Sequence, residues 1–235
     1  DEVGVGKTIE AGLILKELQA RNDIKSVLII CPKALVAERK WELEMKRFDE
    51  HFTPFNGAML RHCIKETHLS GEWPVQYEKI ILPTSLFDND LLFGKAGKGS
   101  SRTQGLLELD PPPKFDLVIV DEANAYKNPS TRRWKTLASI IKPETYLWMM
   151  TGTPASQSPV DAYGLAKFVN PSGVPKFQTS WRDKVMNKIT MFKWAPKPDA
   201  KNLVHDALQP AIRFTKAQCL DLPPVVTVIA VTIPA

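Results

Sequence analysis

The sequence has few cysteines and no long apolar run. Its 235 residues include three cysteines, Cys31, Cys63 and Cys219, which lie far apart and form no CxxC pair. This spacing argues against a disulfide framework or a zinc ribbon and favours a reducing, intracellular compartment. No run of about 18 or more apolar residues occurs, so the sequence predicts no membrane-spanning helix.

The chain also lacks an initiating methionine. It opens on Asp1-Glu2-Val3-Gly4, without the basic and then apolar residues of a leader. We therefore expect a fragment of a longer protein and no signal peptide. With 43% apolar and 24% charged residues, the chain can bury the core of one large domain or of two small ones.

Neither sign of charge dominates, because 31 basic and 26 acidic residues leave a net charge of +5. The excess lies in residues 171–201, where seven basic residues stand against Asp183 and Asp199. The seven are Lys176, Arg182, Lys184, Lys188, Lys193, Lys197 and Lys201. Such a segment permits a polyanionic partner without requiring one.

Short, mostly apolar runs alternate with helical patterns. The runs cover residues 26–31, 79–82, 115–120 and 146–150, and the helical patterns cover residues 9–21, 34–48 and 131–141. We expect the first helix to bury Leu13, Leu15 and Leu18. The alternation predicts an α/β fold, a mostly parallel sheet flanked by helices, with functional side chains beyond the carboxyl ends of the strands.

The segment Gly4-Val5-Gly6-Lys7-Thr8 precedes the first helix and has the composition of a phosphate site. Glycines let backbone N–H groups approach a phosphate, a Lys meets the outer phosphates, and a Thr hydroxyl can bind Mg²⁺. A glycine-rich turn followed by a chance Lys-Thr pair is the alternative. The general pattern GxxxxGK[ST] also requires glycine where this chain has Asp1.

Two further signals follow apolar runs. Asp121 and Glu122 come after residues 115–120, and they can divide the roles of Mg²⁺ ligand and water-orienting base. Thr151-Gly152-Thr153-Pro154 comes after residues 146–150, where hydroxyls can sense a γ-phosphate. Each signal alone also fits a solvated strand end or a turn, but the three in this order predict a nucleoside triphosphatase.

These motifs resemble those of the Swi/Snf family of superfamily-two helicase-like ATPases, which includes DNA translocases such as chromatin remodelers. Residues 1–9 look like the family's motif I, typically DEMGLGKT, which itself begins with Asp. The other similar segments are residues 28–35 with Trp41 and Glu42 for motif Ia, Pro83-Thr84-Ser85 for motif Ib, Asp121-Glu122-Ala123-Asn124 for the DEAH box, Thr151–Pro154 for motif III, and residues 212–216 and 222–224 for the RRTK and LPP stretch.

The resemblance implies a RecA-like P-loop NTPase lobe that uses ATP and Mg²⁺. The implied catalytic residues are Lys7, Asp121 and Glu122. The residues implied for phosphate binding are Gly4, Val5, Gly6, Lys7 and Thr8, and those implied for Mg²⁺ binding are Thr8 and Asp121. Coupling between the nucleotide and the rest of the lobe falls to Asn124, Thr151, Gly152 and Thr153. Backbone contacts to duplex DNA fall to Pro32, Lys33, Ala34, Thr84 and Ser85.

The chain departs from the family at one box residue, where Asn124 replaces His. Asn both donates and accepts hydrogen bonds, so we expect altered coupling and not an inactive site. The family's adenine-contacting glutamine lies upstream of motif I, before the first residue of this chain. No zinc or other transition-metal site is expected, because His62, Cys63 and His68 lack a fourth ligand at suitable spacing.

The resemblance also implies a division of the chain. Residues 1–170 form the ATP-binding lobe, residues 171–210 a basic, partly helical insertion on it, and residues 211–235 a return segment with a last strand at 225–233 that leads to a second RecA-like lobe. That second lobe supplies the arginine fingers, so we expect these residues alone to bind nucleotide weakly and hydrolyse it poorly. Expected partners are duplex DNA and the second lobe, and not a membrane. The expected location is the cytoplasm of a bacterial or phage-infected cell, or the nucleus in a eukaryote.

Alternatives remain open. A degenerate lobe that acts as a nucleotide- or DNA-binding scaffold fits Asn124, and a P-loop kinase or GTPase shares the phosphate-binding segment. In the basic segment, Phe177, Trp181, Phe192 and Trp194 alternate with lysines. These aromatic residues either stack on DNA or anchor the insertion on the core while the lysines face water.

Overall fold

The computed structural model describes residues 6–21, 23–88, 90–94, 105–110, 112–214 and 218. Its strands are β1 (Val27–Cys31), β2 (Thr53–Pro54), β3 (Lys79–Pro83), β4 (Leu117–Val120), β5 (Tyr146–Met149), β6 (Met186–Lys188) and β7 (Trp194–Pro196). Its helices are α1 (Lys7–Ala20), α2 (Lys33–Ala37), α3 (Lys40–Lys46), α4 (Gly57–Ser70), α5 (Asp90–Phe93), α6 (Arg132–Ile140), α7 (Ala162–Val169), α8 (Gln178–Val185) and α9 (Ala200–Ala207).

The main sheet has five strands in the order β2-β3-β1-β4-β5, and every neighbouring pair is parallel. The α/β prediction is confirmed, and the four predicted strands between residues 26 and 150 lie within two residues of their expected bounds. The edge strand β2 was not predicted, because its two residues, Thr53 and Pro54, carry no apolar alternation. A proline is tolerated there because an edge strand needs fewer ladder hydrogen bonds.

Each face of the sheet has its own core, since alternate residues of a strand point to opposite sides. Leu28 and Ile30 of β1 pack in the larger cluster, together with apolar residues of α4, α6, α7 and α8. Val27, Ile29 and Cys31 pack in the smaller cluster, where α1 contributes Ala11 and Leu15 and α3 contributes Trp41 and Met45.

Two helical predictions need correction. The pattern at 34–48 forms two helices, because Arg39 adopts a left-handed conformation with φ of 57° between α2 and α3. In α1, Leu15 is buried, but Leu13 is 59% exposed and Ile9 is 43% exposed, so the expected burial of Leu13 is wrong. Only the narrow stripe of Ala11, Gly12 and Leu15 is fully buried, because α1 has apolar residues around most of its circumference.

Helix α4 was not predicted, although both of its ends carry clear signals. The Asn56 side chain accepts hydrogen bonds from the N–H groups of Ala58 and Met59 at its start, and Gly71 ends it with φ of 79°. These are an ordinary N-cap and a left-handed glycine C-cap.

The segment 171–210 contains α8, α9 and an antiparallel hairpin of β6 and β7. It is partly helical, as expected, but the hairpin was not predicted. Trp181 of α8 is fully buried in the larger core and donates from Nε1 to the Pro159 carbonyl at 3.2 Å. None of the helices that the structure describes has the length and the apolar composition of a membrane span. The predicted strand at 225–233 lies outside the described residues.

Candidate functional site

The loops that leave β1, β3, β4 and β5 all open at the carboxyl edge of the sheet, because the strands are parallel and in register. From β1 the chain continues toward β2 and β3 on one side, and from the adjacent β4 it continues to β5 on the other. Neighbouring strands whose connections leave in opposite directions form a crevice, where ligands bind in sheets of this kind. Asp121 and Glu122 lie at this crevice.

Helix α1 begins after a glycine with a left-handed backbone. Gly6 adopts φ of 96°, a left-handed conformation that favours glycine, and its carbonyl accepts from Ile9 and Glu10 N–H groups at 2.8 and 3.1 Å. Lys7 and Thr8 lie in the first turn and are half-buried. The predicted residues Gly4 and Val5 lie outside the described part of the chain.

Asp121 is held by three hydrogen bonds. Its backbone N–H donates to the Ile30 carbonyl at 2.8 Å, its Oδ1 accepts from the Glu122 N–H at 2.9 Å, and its Oδ2 accepts from Trp41 Nε1 at 3.0 Å. Glu122 adopts φ of 50°, a conformation uncommon for residues other than glycine. Strained backbone of this kind occurs disproportionately at functional sites.

The remaining nucleotide-side residues lie on the next loop. The Ala123 N–H donates to the Met150 carbonyl at 2.9 Å, so the turn that contains half-buried Asn124 is joined directly to the start of the Thr151–Thr153 segment. Thr151 Oγ1 accepts from the Thr153 N–H at 3.1 Å. The structure thus connects the two predicted coupling segments through one backbone hydrogen bond between the residues next to them.

The predicted DNA-contacting residues also lie at the carboxyl edge. Lys33, Ala34 and Ser85 are exposed and Pro32 is half-buried, whereas Thr84 is only 8% exposed. The Thr84 side chain therefore has little surface for a ligand. The aromatic residues of the basic segment differ in exposure: Trp181 is buried, whereas Phe177 is 61% and Phe192 92% exposed.

Cys31, the last residue of β1, is buried close enough to Asp121 to feel its charge. Burial, with a smaller contribution from the Asp121 charge, raises the pKa of the Cys31 thiol to about 12. Cys31 therefore stays protonated at neutral pH and acts as an apolar residue. The contact between Trp41 and Asp121 was not predicted, because the two residues are 80 positions apart and no local pattern links them.

The donor chemistry of the two predicted ligands fits Mg²⁺. Asp121 and Thr8 offer hard oxygen atoms, which Mg²⁺ prefers, and Mg²⁺ at such sites also takes ligands from substrate phosphates and water. A carboxylate has about four lone-pair sites, and the two hydrogen bonds to Asp121 leave the others available. Where side chains are described, no group of three or more His, Cys, Asp or Glu residues could hold a metal alone. His62 pairs with Glu66 at 3.1 Å, while Cys63 is buried.

Comparison with known proteins places these features in context. The SNF2-related domain family matches residues 1–232. The uncharacterized ATP-dependent helicase YqhH of Bacillus subtilis is 30% identical over 171 residues, which is 73% of this chain and 25% of the relative. The RNA polymerase-associated protein RapA of Vibrio parahaemolyticus is 26% identical over 219 residues, 88% of this chain and 21% of the relative. The chain thus spans about a quarter of the length of these relatives.

A solved structure gives the same fold. The SWI2/SNF2 ATPase core of Sulfolobus solfataricus, solved in complex with dsDNA, matches with a TM-score of 0.65 at 22% identity. The match covers 95% of this chain and 41% of that one. The predicted RecA-like lobe is therefore confirmed as a fold.

Proposed function

Because the chain belongs to the SNF2-related domain family, we propose that it is the ATP-binding first lobe of a helicase-like ATPase that couples ATP hydrolysis to translocation on duplex DNA. One observation carries the proposal. The loops after β1, β4 and β5, with Lys33, Asp121–Glu122 and Thr151–Thr153, lie at one sheet edge. A backbone hydrogen bond from Ala123 to Met150 joins the loop after β4 to the loop after β5. The charged side chains and the strained backbone at that edge do not pack in the core, so a binding role accounts for them better than a structural one.

The proposed reaction is attack of water on the γ-phosphorus of ATP. Residues 4–8 hold the phosphates with backbone N–H groups, and Lys7 offsets their charge. Glu122 orients the water and accepts its proton as the bond between the γ-phosphorus and the bridging oxygen breaks and ADP leaves. Asp121 and Thr8 would hold Mg²⁺, which supplies charge to the phosphate oxygens.

Coupling follows from the contact between two loops. If loss of the γ-phosphate moves the Thr151–Thr153 turn, the hydrogen bond from Ala123 to Met150 transmits that movement to Asn124. Asn124 in place of the family's His changes the partners available but keeps a donor and an acceptor. We therefore propose altered coupling and retained catalysis.

DNA contacts in the proposal are to the backbone, as a translocase requires. Exposed Lys33 and Ser85 are suited to phosphates, and the dsDNA complex of the Sulfolobus core supports duplex DNA as the partner. Because this chain covers 41% of that core, the second lobe and its arginine fingers are proposed to come from elsewhere in the full-length protein. Residues 1–235 alone should then turn over ATP slowly, with or without DNA.

The test is ATP turnover by the full-length protein with and without duplex DNA. Glu122→Gln should lower turnover by about 100-fold or more, the loss typical for a general base. Glu144→Gln is a matched control, because Glu144 is exposed in the turn before β5. Equal turnover by wild type and Glu122→Gln would contradict the assignment. Mg²⁺–ATP binding without any turnover would instead favour the scaffold alternative.

A further inference from the structure

Trp41 is a buried side chain whose only polar atom faces the candidate nucleotide site. It belongs to α3, is 1% exposed, and donates from Nε1 to Asp121 Oδ2 at 3.0 Å. An indole N–H can only donate, so this contact cannot reverse its direction. The geometry therefore pairs a fixed donor with one named oxygen of the carboxylate.

The indole ring has little freedom to move. It packs in the smaller core with Leu15 of α1, with Cys31 at the end of β1 and with Met150, the residue after β5. The next residue, Glu42, forms an ion pair with the Arg39 guanidinium at 3.0 Å. This pair connects the start of α3 to the left-handed turn before it. The donor is consequently placed by packing and not by the carboxylate it serves.

We propose that Trp41 is a positioning residue that holds the Asp121 carboxylate in the orientation which receives Mg²⁺ with the nucleotide; this inference rests on the proposed function. The hydrogen bond occupies one lone pair of Oδ2, and the Glu122 N–H occupies one of Oδ1. The carboxylate cannot rotate without breaking both bonds. Outer-shell partners of this kind orient metal ligands, and their loss typically lowers metal affinity by about 10- to 100-fold.

The test measures how much Mg²⁺ strengthens nucleotide binding. In the full-length protein, the affinity for mant-ADP is measured by fluorescence in Mg²⁺ and in EDTA. Trp41→Phe keeps an aromatic ring and removes the donor, so the gain in affinity from Mg²⁺ should fall about tenfold, while the affinity in EDTA stays within about twofold. In a protein that already carries Asp121→Ala, adding Trp41→Phe should not reduce the gain in affinity from Mg²⁺ any further.

Trp134→Phe is the matched control. Trp134 is a half-buried tryptophan whose Nε1 donates to the Gly164 carbonyl at 2.9 Å, so the same ring and hydrogen-bond loss occurs outside the site. It should leave the Mg²⁺ gain unchanged. An undiminished Mg²⁺ gain in Trp41→Phe would overturn the inference, whereas the absence of any gain in wild type would overturn the proposed function first.

A second measurement applies if Trp41→Phe melts below the assay temperature. Wild type labelled with 5-fluorotryptophan is compared with labelled Asp121→Ala by ¹⁹F NMR, which identifies the indole signal that depends on Asp121. That signal should shift when Mg²⁺ is added to the ADP-bound protein. A signal that stays in place, with Mg²⁺ binding established by the fluorescence assay, would overturn the inference.

Discussion

Tyr126 and Phe87 meet edge to face, with ring centroids 6.1 Å apart and an interplanar angle of 89°. Tyr126 ends the turn that follows Asp121 and Glu122, and Phe87 lies in the turn that contains Thr84 and Ser85. The pair thus joins the loop proposed for the nucleotide to the loop proposed for DNA. Both rings are fully buried, so we expect the two loops to move together.

The Tyr126 hydroxyl provides the first prediction, because it is buried and has no hydrogen-bond partner among the residues that the structure describes. Removing an unpaired buried polar atom is nearly neutral or stabilising. Tyr126→Phe should therefore raise the free energy of unfolding by zero to about 1 kcal/mol. Tyr126→Leu, which also loses the ring contact with Phe87, should lower it by about 1 kcal/mol or more. Urea unfolding measures both, and a large loss in Tyr126→Phe would reveal a partner for the hydroxyl.

Gly164 provides the second prediction. A Cβ atom there would lie 2.3 Å from the Lys127 carbonyl oxygen. Lys127 belongs to the loop that follows Asp121 and Glu122. Because the obstacle is backbone, α7 must shift away from that loop. Gly164→Ala should lower the free energy of unfolding, measured by urea unfolding, by about 2 kcal/mol, because the cost of overpacking exceeds the gain in helix propensity.

Gly12→Ala is the comparison for Gly164→Ala. Its Cβ would also come within 2.3 Å of an atom, but that atom belongs to the half-buried Phe48 side chain, which can move. We expect a smaller loss in the free energy of unfolding. Equal losses for the two variants in urea unfolding would show that the Lys127 loop also yields.

The sequence predicts the sheet well and the helix faces poorly. The five residues of β1 are all buried, and a continuous apolar run is typical of a strand covered on both sides. The apolar residues of α1 occupy more of the helix than the sheet can cover, so periodicity alone could not show that Leu13 stays exposed. Likewise, the contact of Trp41 with Asp121 depends on the placement of α3 over the sheet, which no local pattern records.

Glu50 gives a prediction about pH. It is 3% exposed and forms ion pairs with Lys16, at 2.8 Å, and Lys79. Burial alone would raise the pKa of Glu50, but the hydrogen bonds from Lys16 and Lys79 outweigh burial and hold that pKa below its usual value. The charged form is therefore favoured in the folded chain.

A carboxyl group whose pKa is lower in the folded than in the unfolded chain stabilises the fold above its unfolded pKa, and that stabilisation is lost as the pH falls through the folded pKa. Glu50→Gln should lower the free energy of unfolding by about 2 kcal/mol at pH 7. The difference from wild type should shrink below about pH 4.3. Glu144→Gln, at an exposed position, should have little effect at any pH, and a Glu50→Gln deficit independent of pH would contradict the ion-pair explanation.

The tip of the β6–β7 hairpin combines exposed apolar residues with flanking charge. Met191 is 75% exposed and Phe192 92% exposed, between exposed Lys188 and Lys193. The stem contacts α8, because the Arg182 guanidinium lies over the Trp194 ring, 4.4 Å from its centroid. We therefore propose that exposed Phe192 stacks on DNA, whereas buried Trp181 anchors the segment on the core.

Salt dependence separates the two contributions of this tip to DNA binding. Each lysine that meets a phosphate adds about 0.9 to the slope of log K against log salt concentration. Changing Lys188 and Lys193 to Ala should thus lower the slope by about 2, while Phe192→Ser should weaken duplex binding with the slope unchanged, because an apolar contact releases no counterions. Ala at Lys46 and Lys65, exposed lysines outside the segment, provides the control. If the two double variants lower the salt slope equally, DNA binding depends on general surface charge and the hairpin has no special role.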